Sequence, residues 1–249
     1  FGDAAFFSFG RFKIISTVSG GAAIAKNSAI RKGLKKFYDS YNLPSRFWIF
    51  QQLFHPIFLA IAKPLYNIFS LGKILVVIAK RLNLISLTVY PDEKQGGWPA
   101  FGPWQMPNAL AILGLNQLEK IERYNEHRRV LSQLYESQLY EAKPRKVGLP
   151  RILEGEKPVF LYFPIQVENR DLADKLIEDG QREGIYLEDW PGRKVIGPVG
   201  TNLEKIKYKL GSCPIAEETA SRVVVLPTSP NTREKDVRRV IDFVRSNRE

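Results

Sequence analysis

The 249-residue sequence predicts a mixed α/β fold, and three features carry that prediction. Its C-terminal part alternates apolar runs with amphipathic ones: "PVFLYFPIQV", "RDLADKLIEDGQREG", "SRVVVLP" and "NTREKDVRRVIDFVRS". Short apolar runs punctuated by glycine open the chain. A hydrophobic content of 44%, with 12% aromatic residues, is enough to fill a real core.

Taken in order, "AAFFSF" at 4–9 reads as a short buried strand. "KIISTV", the Ser19-Gly20 turn and "GAAIA" read as a hairpin, with Lys13 at the start of a strand. From Asn27, "NSAIRKGLKKFYDSY" offers an Asn cap and Ile30, Leu34 and Phe37 at helical spacing, which predicts a basic amphipathic helix. Residues 43–90 are mostly apolar, and their longest uncharged run is the 16 residues Phe47 to Ala62, broken by Pro56. A membrane-spanning helix wants about 20 apolar residues, so helices buried at an interface or lying in a membrane surface are expected instead.

"PDEKQGGWPAFGPW" at 91–104 reads as an ordered loop rich in Pro, Gly and Trp. After it, Leu115, Leu118, Ile121, Tyr124, Leu131 and Tyr135 recur at three- and four-residue steps. That spacing predicts one helix about 50 Å long. The remaining strands and helices should form an α/β sandwich of about 100 residues, with a helix ending at Gly184 and a final helix capped by Asn231 or Thr232.

Composition narrows the function classes. A single cysteine, Cys213, and only His55 and His127 leave no Cys/His cluster spaced for zinc, and the cysteine is expected to behave as a small buried hydrophobe in a reducing, cytoplasmic compartment. The net charge is +11. Between Asp39 and Asp92 there is no acidic residue, while Arg46, Lys63, Lys73, Lys80 and Arg81 add five positive charges, a pattern suited to the inner face of an anionic membrane. The basic residues alternate with aliphatic ones and no recognition motif is present, which argues against nucleic acid.

One lysine stands out. A lysine amine is a useful nucleophile where burial or a neighbouring cation favours its neutral form, and it then condenses with carbonyls. Lys13 has Phe12, Ile14 and Ile15 around it and Arg11 two positions before it.

The string "GDAAFFSFGRFKIISTVSGGAAIAKN", Gly2 to Asn27, resembles the cofactor-lysine segment of the DegT/DnrJ/StrS family of PLP-dependent sugar aminotransferases. Gly2, Asp3, Ser8, Phe9, Lys13, Gly20 and Gly21 fill the family's pattern. "MPNALAILGLNQLEKIERYNEHRR", "LIEDGQREGIYLEDWP" and "VVVLPTSPNTREKDVRRVIDFV" are similar to its long helix, its substrate-side turn and its closing strand and helix, so the likeness covers about four fifths of the chain. Residues 43–90 depart from it, because the family usually has a shorter connection there.

The resemblance implies the C-terminal portion of a fold type I PLP-dependent transferase: residues 1–105 as part of the large cofactor-binding domain, with a basic, apolar helical insertion at about 43–90, and residues 106–249 as the small α/β domain. It implies that Lys13 holds PLP covalently and moves a proton during transfer, that Ser8 binds the cofactor phosphate, and that Gln105 stands where the family commonly uses Asn to reach the partner subunit's phosphate. Asn108 competes for that role but suits helix capping better, and Trp190 could touch a sugar or nucleotide. No metal is implied. The implied substrates are a nucleotide-linked keto-sugar and an amino-acid donor such as glutamate, in cell-envelope polysaccharide synthesis by a homodimer. Dehydratase-type relatives carry His at the lysine position, so Lys13 argues for transamination.

The family's other cofactor contacts precede its lysine, whereas only 12 residues precede Lys13. The chain is therefore expected to be part of a longer enzyme and to transaminate little by itself. A second reading treats residues 43–90 as a membrane-surface module with the aminotransferase fold as its scaffold.

Overall fold

The computed structural model describes residues 2–66, 68–98, 102–142, 147–189 and 197–247. They fall into two units, Phe1–Asp92 with Trp98–Ile121, and Glu93–Gly97 with Glu122–Glu249.

In the first unit β1 (Ala4–Ser8) pairs antiparallel with β2 (Gly21–Ala25), in a register that sets Phe7 opposite Ala22 and Ser8 opposite Gly21. "KIISTV" is therefore not a strand. It belongs to the loop from Phe9 to Gly20, whose neck is closed by Phe9 N–H donating to Gly20 O (2.9 Å) and Thr17 N–H donating to Phe9 O (2.9 Å). Gly21 makes this pairing possible, since a Cβ there would lie 2.6 Å from Phe7 O. Phe6, Phe7 and Ile24 on the two strands are exposed.

Asn27 caps α1 (Ser28–Asp39) as expected, its side-chain oxygen accepting from Ala29 N–H at 2.7 Å. Ser45 caps α2 (Arg46–Ala62), a single 3-10 turn (Lys63–Leu65) follows, and α3 (Leu71–Arg81) folds back against α2. A Cβ on Gly72 would collide with Ala62 O and lie 2.8 Å from Tyr66 N, so only glycine lets the two helices meet here. The loop expected at 91–104 begins with the short helix α4 (Pro91–Lys94).

The single long helix expected after Met106 is two helices, α5 (Asn108–Leu118) and α6 (Ile121–Ala142). Lys120 N–H donates to Gln117 O (3.1 Å), three residues back, and this tightened turn interrupts the α-helical ladder. The Lys120 ammonium holds the same turn by donating to Asn116 Oδ1 at 2.6 Å.

In the second unit the strands β3 (Val147–Gly148), β4 (Tyr162–Val167) and β5 (Val223–Pro227) form an antiparallel sheet in that order. β4 alternates, burying Phe163, Ile165 and Val167. These join Leu131, Tyr135 and Leu139 of α6 and the inner faces of α7 (Arg170–Arg182) and α9 (Glu234–Ser246) in one core. Tyr135 stacks on Phe163 with ring centroids 5.3 Å apart and donates its hydroxyl to Pro227 O (3.1 Å). Burial, and then the charge of Asp236, push that hydroxyl above its usual ionisation range.

Asn169 caps α7, and Gly184 follows it at φ +71°, as expected of a terminating glycine. The cap of α9 differs from the expectation. Arg233 takes that position, its backbone N–H donating to Asp236 Oδ2 at 3.0 Å, while Thr232 is engaged with Ser229. Helix α8 (Pro214–Arg222) is an element the apolar pattern does not predict; a proline at its first position and Glu217, which accepts from Gly211 N–H (2.8 Å), mark its start. Cys213 just before it is exposed rather than buried, because it lies in this capping turn and not on a core-facing element.

Candidate active site around Lys13

The loop from Phe9 to Gly20 presents Lys13. Residues Gly10 to Lys13 form a tight turn closed by Lys13 N–H donating to Gly10 O at 3.1 Å. The loop is anchored by its own middle, where Ile15 and Thr17 are buried to 7% and 1% exposure while Phe12 and Lys13 are exposed. Thr17 reaches α5, whose Gly114 would bring a Cβ within 3.0 Å of Thr17 Cγ2. Gly20, at φ +134°, lies against Thr17 and Met106. Beside the anchor Val18 is held at φ +68° while its N–H donates to Ser16 Oγ (3.0 Å), a local compensation for left-handed backbone on a β-branched residue.

The apolar enclosure suggested for the amine does not form. Lys13 and its neighbour Phe12 face solvent, and the Lys13 ammonium makes no hydrogen bond or ion pair among the described residues. Ser8 lies at the other end of the turn, also exposed, with its Oγ 3.7 Å from where a Cβ on Gly10 would stand. One short turn thus presents a primary amine and a hydroxyl.

Gln105 is placed differently. Its backbone N–H donates to Asn42 O (3.0 Å) and its side-chain amide to Tyr38 O (3.3 Å), which ties it to the end of α1. Its neighbour Met106 is the residue that meets the base of the lysine loop. Asn108 is not the cap of α5; Pro107 holds that position and Asn108 is the first helical residue. Trp190 lies outside the described residues.

Arg11 does more than place a cation near Lys13. Its guanidinium donates to Ser86 O (2.9 Å), Thr88 Oγ1 (3.1 Å) and Ser86 Oγ, and Ser86 Oγ in turn donates to Gln52 Oε1 at 2.8 Å. Ser86 and Gln52 are buried, so the lysine loop is fastened to both limbs of the 43–90 segment. Burial holds the Arg11 guanidinium below its ordinary pKa, partly offset by Tyr90. Close by, His55 is pushed down to about 4, by burial first and then by the charges of Arg11 and Lys80. The only signal available in sequence was an arginine two residues before the lysine.

The family model of the DegT/DnrJ/EryC1/StrS aminotransferases matches residues 98–245. The chain belongs to this family. Solved structures share its fold along nearly the whole chain. DesV of S. venezuelae is 20% identical with a TM-score of 0.64, covering 100% of this chain and 52% of its own. CalS13 of Micromonospora echinospora, a sugar aminotransferase, is 16% identical with a TM-score of 0.61, covering 98% of this chain and 52% of its own. Spr1654 of Streptococcus pneumoniae, solved in a PLP form, is 16% identical with a TM-score of 0.61, covering 99% and 52%. The chain spans about half the length of these three proteins. No curated protein sequence matches it.

Proposed function

We propose that this chain supplies the lysine-bearing part of a PLP-dependent sugar aminotransferase. The observation that carries the proposal is the Gly10–Lys13 turn, which offers an exposed amine with no partner among the described residues and, beside it, the exposed hydroxyl of Ser8. Those two groups suit the two ends of PLP: an amine condenses with its aldehyde, and a hydroxyl donates to its phosphate. Bound PLP supplies the electron sink that allows a proton to leave the substrate carbon.

Lys13 Nζ would hold the aldehyde end of the cofactor and, once released, would act as general base and acid toward the proton on the substrate carbon. Ser8 Oγ would donate to the phosphate end. Gln105 keeps one amide N–H beyond the one given to Tyr38, and it would turn that donor to the partner subunit's phosphate. Residues 1–105 then belong to the cofactor-binding domain and 106–249 to the small domain.

Spr1654 has been solved in PLP and PMP forms, and CalS13 is a sugar aminotransferase, which supports PLP as cofactor and a sugar as acceptor. The finer reading is a nucleotide-linked keto-sugar aminated from an amino acid such as glutamate, for cell-envelope polysaccharide, by a cytoplasmic homodimer. Incubating the protein expressed from its complete reading frame with PLP, glutamate and nucleotide-linked keto-sugars tests this. Amino-sugar formation that Lys13→Ala eliminates is the expected result, and turnover by the Lys13→Ala protein equal to wild type would overturn it.

A further inference from the structure

Helices α2 and α3 are packed with their polarity inverted. α2 buries Gln51 and Gln52, and turns Phe47, Phe50, Ile57 and Ile61 outward at 48 to 61% exposure. These four recur at steps of three, seven and four residues, so they form one stripe along the helix. The buried glutamines are used internally: Gln51 donates to Asn83 O, and Gln52 accepts from Ser86. In α3 the inner face is made of the small residues Gly72 and Ala79, seven apart, while Leu71, Ile74, Leu75, Ile78 and, just beyond the helix, Leu82 face out along a separate stripe. Two helices that bury glutamine (α2) and glycine (α3) while exposing phenylalanine, leucine and isoleucine are arranged for an apolar environment outside them.

The charges say which environment. Residues 40–91 contain no Asp or Glu, and Arg46, Lys63, Lys73, Lys80 and Arg81 are all exposed. None of the five makes an ion pair among the described residues. On α3, Lys73 and Lys80 share a face opposite the Leu71, Leu75, Ile78 and Leu82 stripe, the arrangement of a helix lying flat in an interface with its ammonium groups reaching for headgroups. A second copy of this chain is a poor occupant, because a two-fold contact would set this acid-free basic surface against itself. No described helix is long and apolar enough to cross a bilayer.

We propose that the α2–α3 hairpin docks this protein on a membrane surface carrying anionic lipid. The proposal is independent of the aminotransferase reading, because lipid binding is measured without cofactor or sugar. The whole chain is floated with vesicles of phosphatidylcholine alone or mixed with phosphatidylglycerol, at low and high salt. Flotation with the phosphatidylglycerol vesicles, weakened by salt, is expected. Each basic group near such a surface contributes about five-fold in affinity, so Lys73→Glu combined with Lys80→Glu should weaken binding by at least about 25-fold. Ile57→Glu with Ile74→Glu should abolish it, and Ile215→Glu, an exposed apolar position outside the hairpin, should leave it unchanged. Circular dichroism of each variant controls for folding, which these exposed positions should preserve.

Three results would overturn the proposal: no flotation of the wild-type chain, flotation indifferent to the hairpin substitutions, or a wild-type dimer in sedimentation that Ile57→Glu with Ile74→Glu dissociates. The last would make the face an interface between copies.

Discussion

Replacing Arg11 by alanine should loosen the lysine loop and the end of the helical hairpin together. The guanidinium makes contacts with Ser86 O at 2.9 Å, Thr88 Oγ1 at 3.1 Å and Ser86 Oγ. A hydrogen bond from a charged donor is worth about 1.5–3 kcal/mol net. Thr88 is exposed and its bond counts for little, and removing the arginine also relieves the desolvation that depresses its pKa. Ser86 Oγ keeps its bond to Gln52 at 2.8 Å, so the main loss is the unmet Ser86 carbonyl. The balance is about 2 kcal/mol of local stability.

At about 1.4 kcal/mol per factor of ten, that loss corresponds to roughly a 30-fold increase in local opening. Native-state hydrogen exchange reads it at the amides of Phe9, Lys13 and Thr17 in the loop and of Leu84 after α3, all of which donate to backbone carbonyls. Arg11→Ala should accelerate both groups, and Arg11→Lys should restore only part of the protection, since a point charge cannot span two acceptors as a fork does. The reasoning is refuted if exchange changes by less than about three-fold, a margin of about 0.6 kcal/mol, or if only one of the two segments responds.

Other outcomes follow from single groups. His55 is held neutral down to a pKa of about 4, whereas an unfolded histidine protonates near 6.5; stability should therefore be flat above pH 6.5 and fall as pH drops towards 4. The ring is only half-buried, which limits the loss to about 1–2 kcal/mol, and urea midpoints should show that His55→Asn removes this part of the acid sensitivity. Gly72→Ala places a methyl against Ala62 O and Tyr66, and thermal melting should show a loss of about 1–3 kcal/mol or more because backbone atoms there cannot yield. In the second unit Leu139→Ala should cost about 2–5 kcal/mol by urea titration, whereas Tyr135→Phe, which gives up only the bond to Pro227 O, should cost about 1 kcal/mol.

What could be read from the sequence was whatever is decided locally. The Asn27 cap, the Gly184 stop and the strand within "PVFLYFPIQV" depend on residues within a turn or two of one another, and each appears where the pattern placed it. "KIISTV" misled because strand pairing depends on the partner: β1 takes Gly21–Ala25, where a glycine admits Phe7 O, and leaves the β-branched run to anchor a loop. The interruption at Lys120 was hidden because the apolar spacing continues across it while the hydrogen-bond pattern does not. In the candidate site, the short separation of Ser8 and Lys13 kept both visible in one motif. Arg11 was not, since its acceptors lie 75 and 77 residues away. The apolar, acid-free character of α2 and α3 was legible as composition, but which residues face inward was not, because it depends on Gly72 meeting Ala62 and on Gln52 meeting Ser86.

The most direct measurement is to incubate the protein expressed from its complete reading frame with PLP, reduce it with borohydride and locate the attached pyridoxyl group by peptide mass spectrometry. The account predicts modification of the peptide containing Phe9 to Gly20, on Lys13 and lost in Lys13→Ala. A pyridoxyl group on another lysine in the wild-type protein, or none on any, would contradict it.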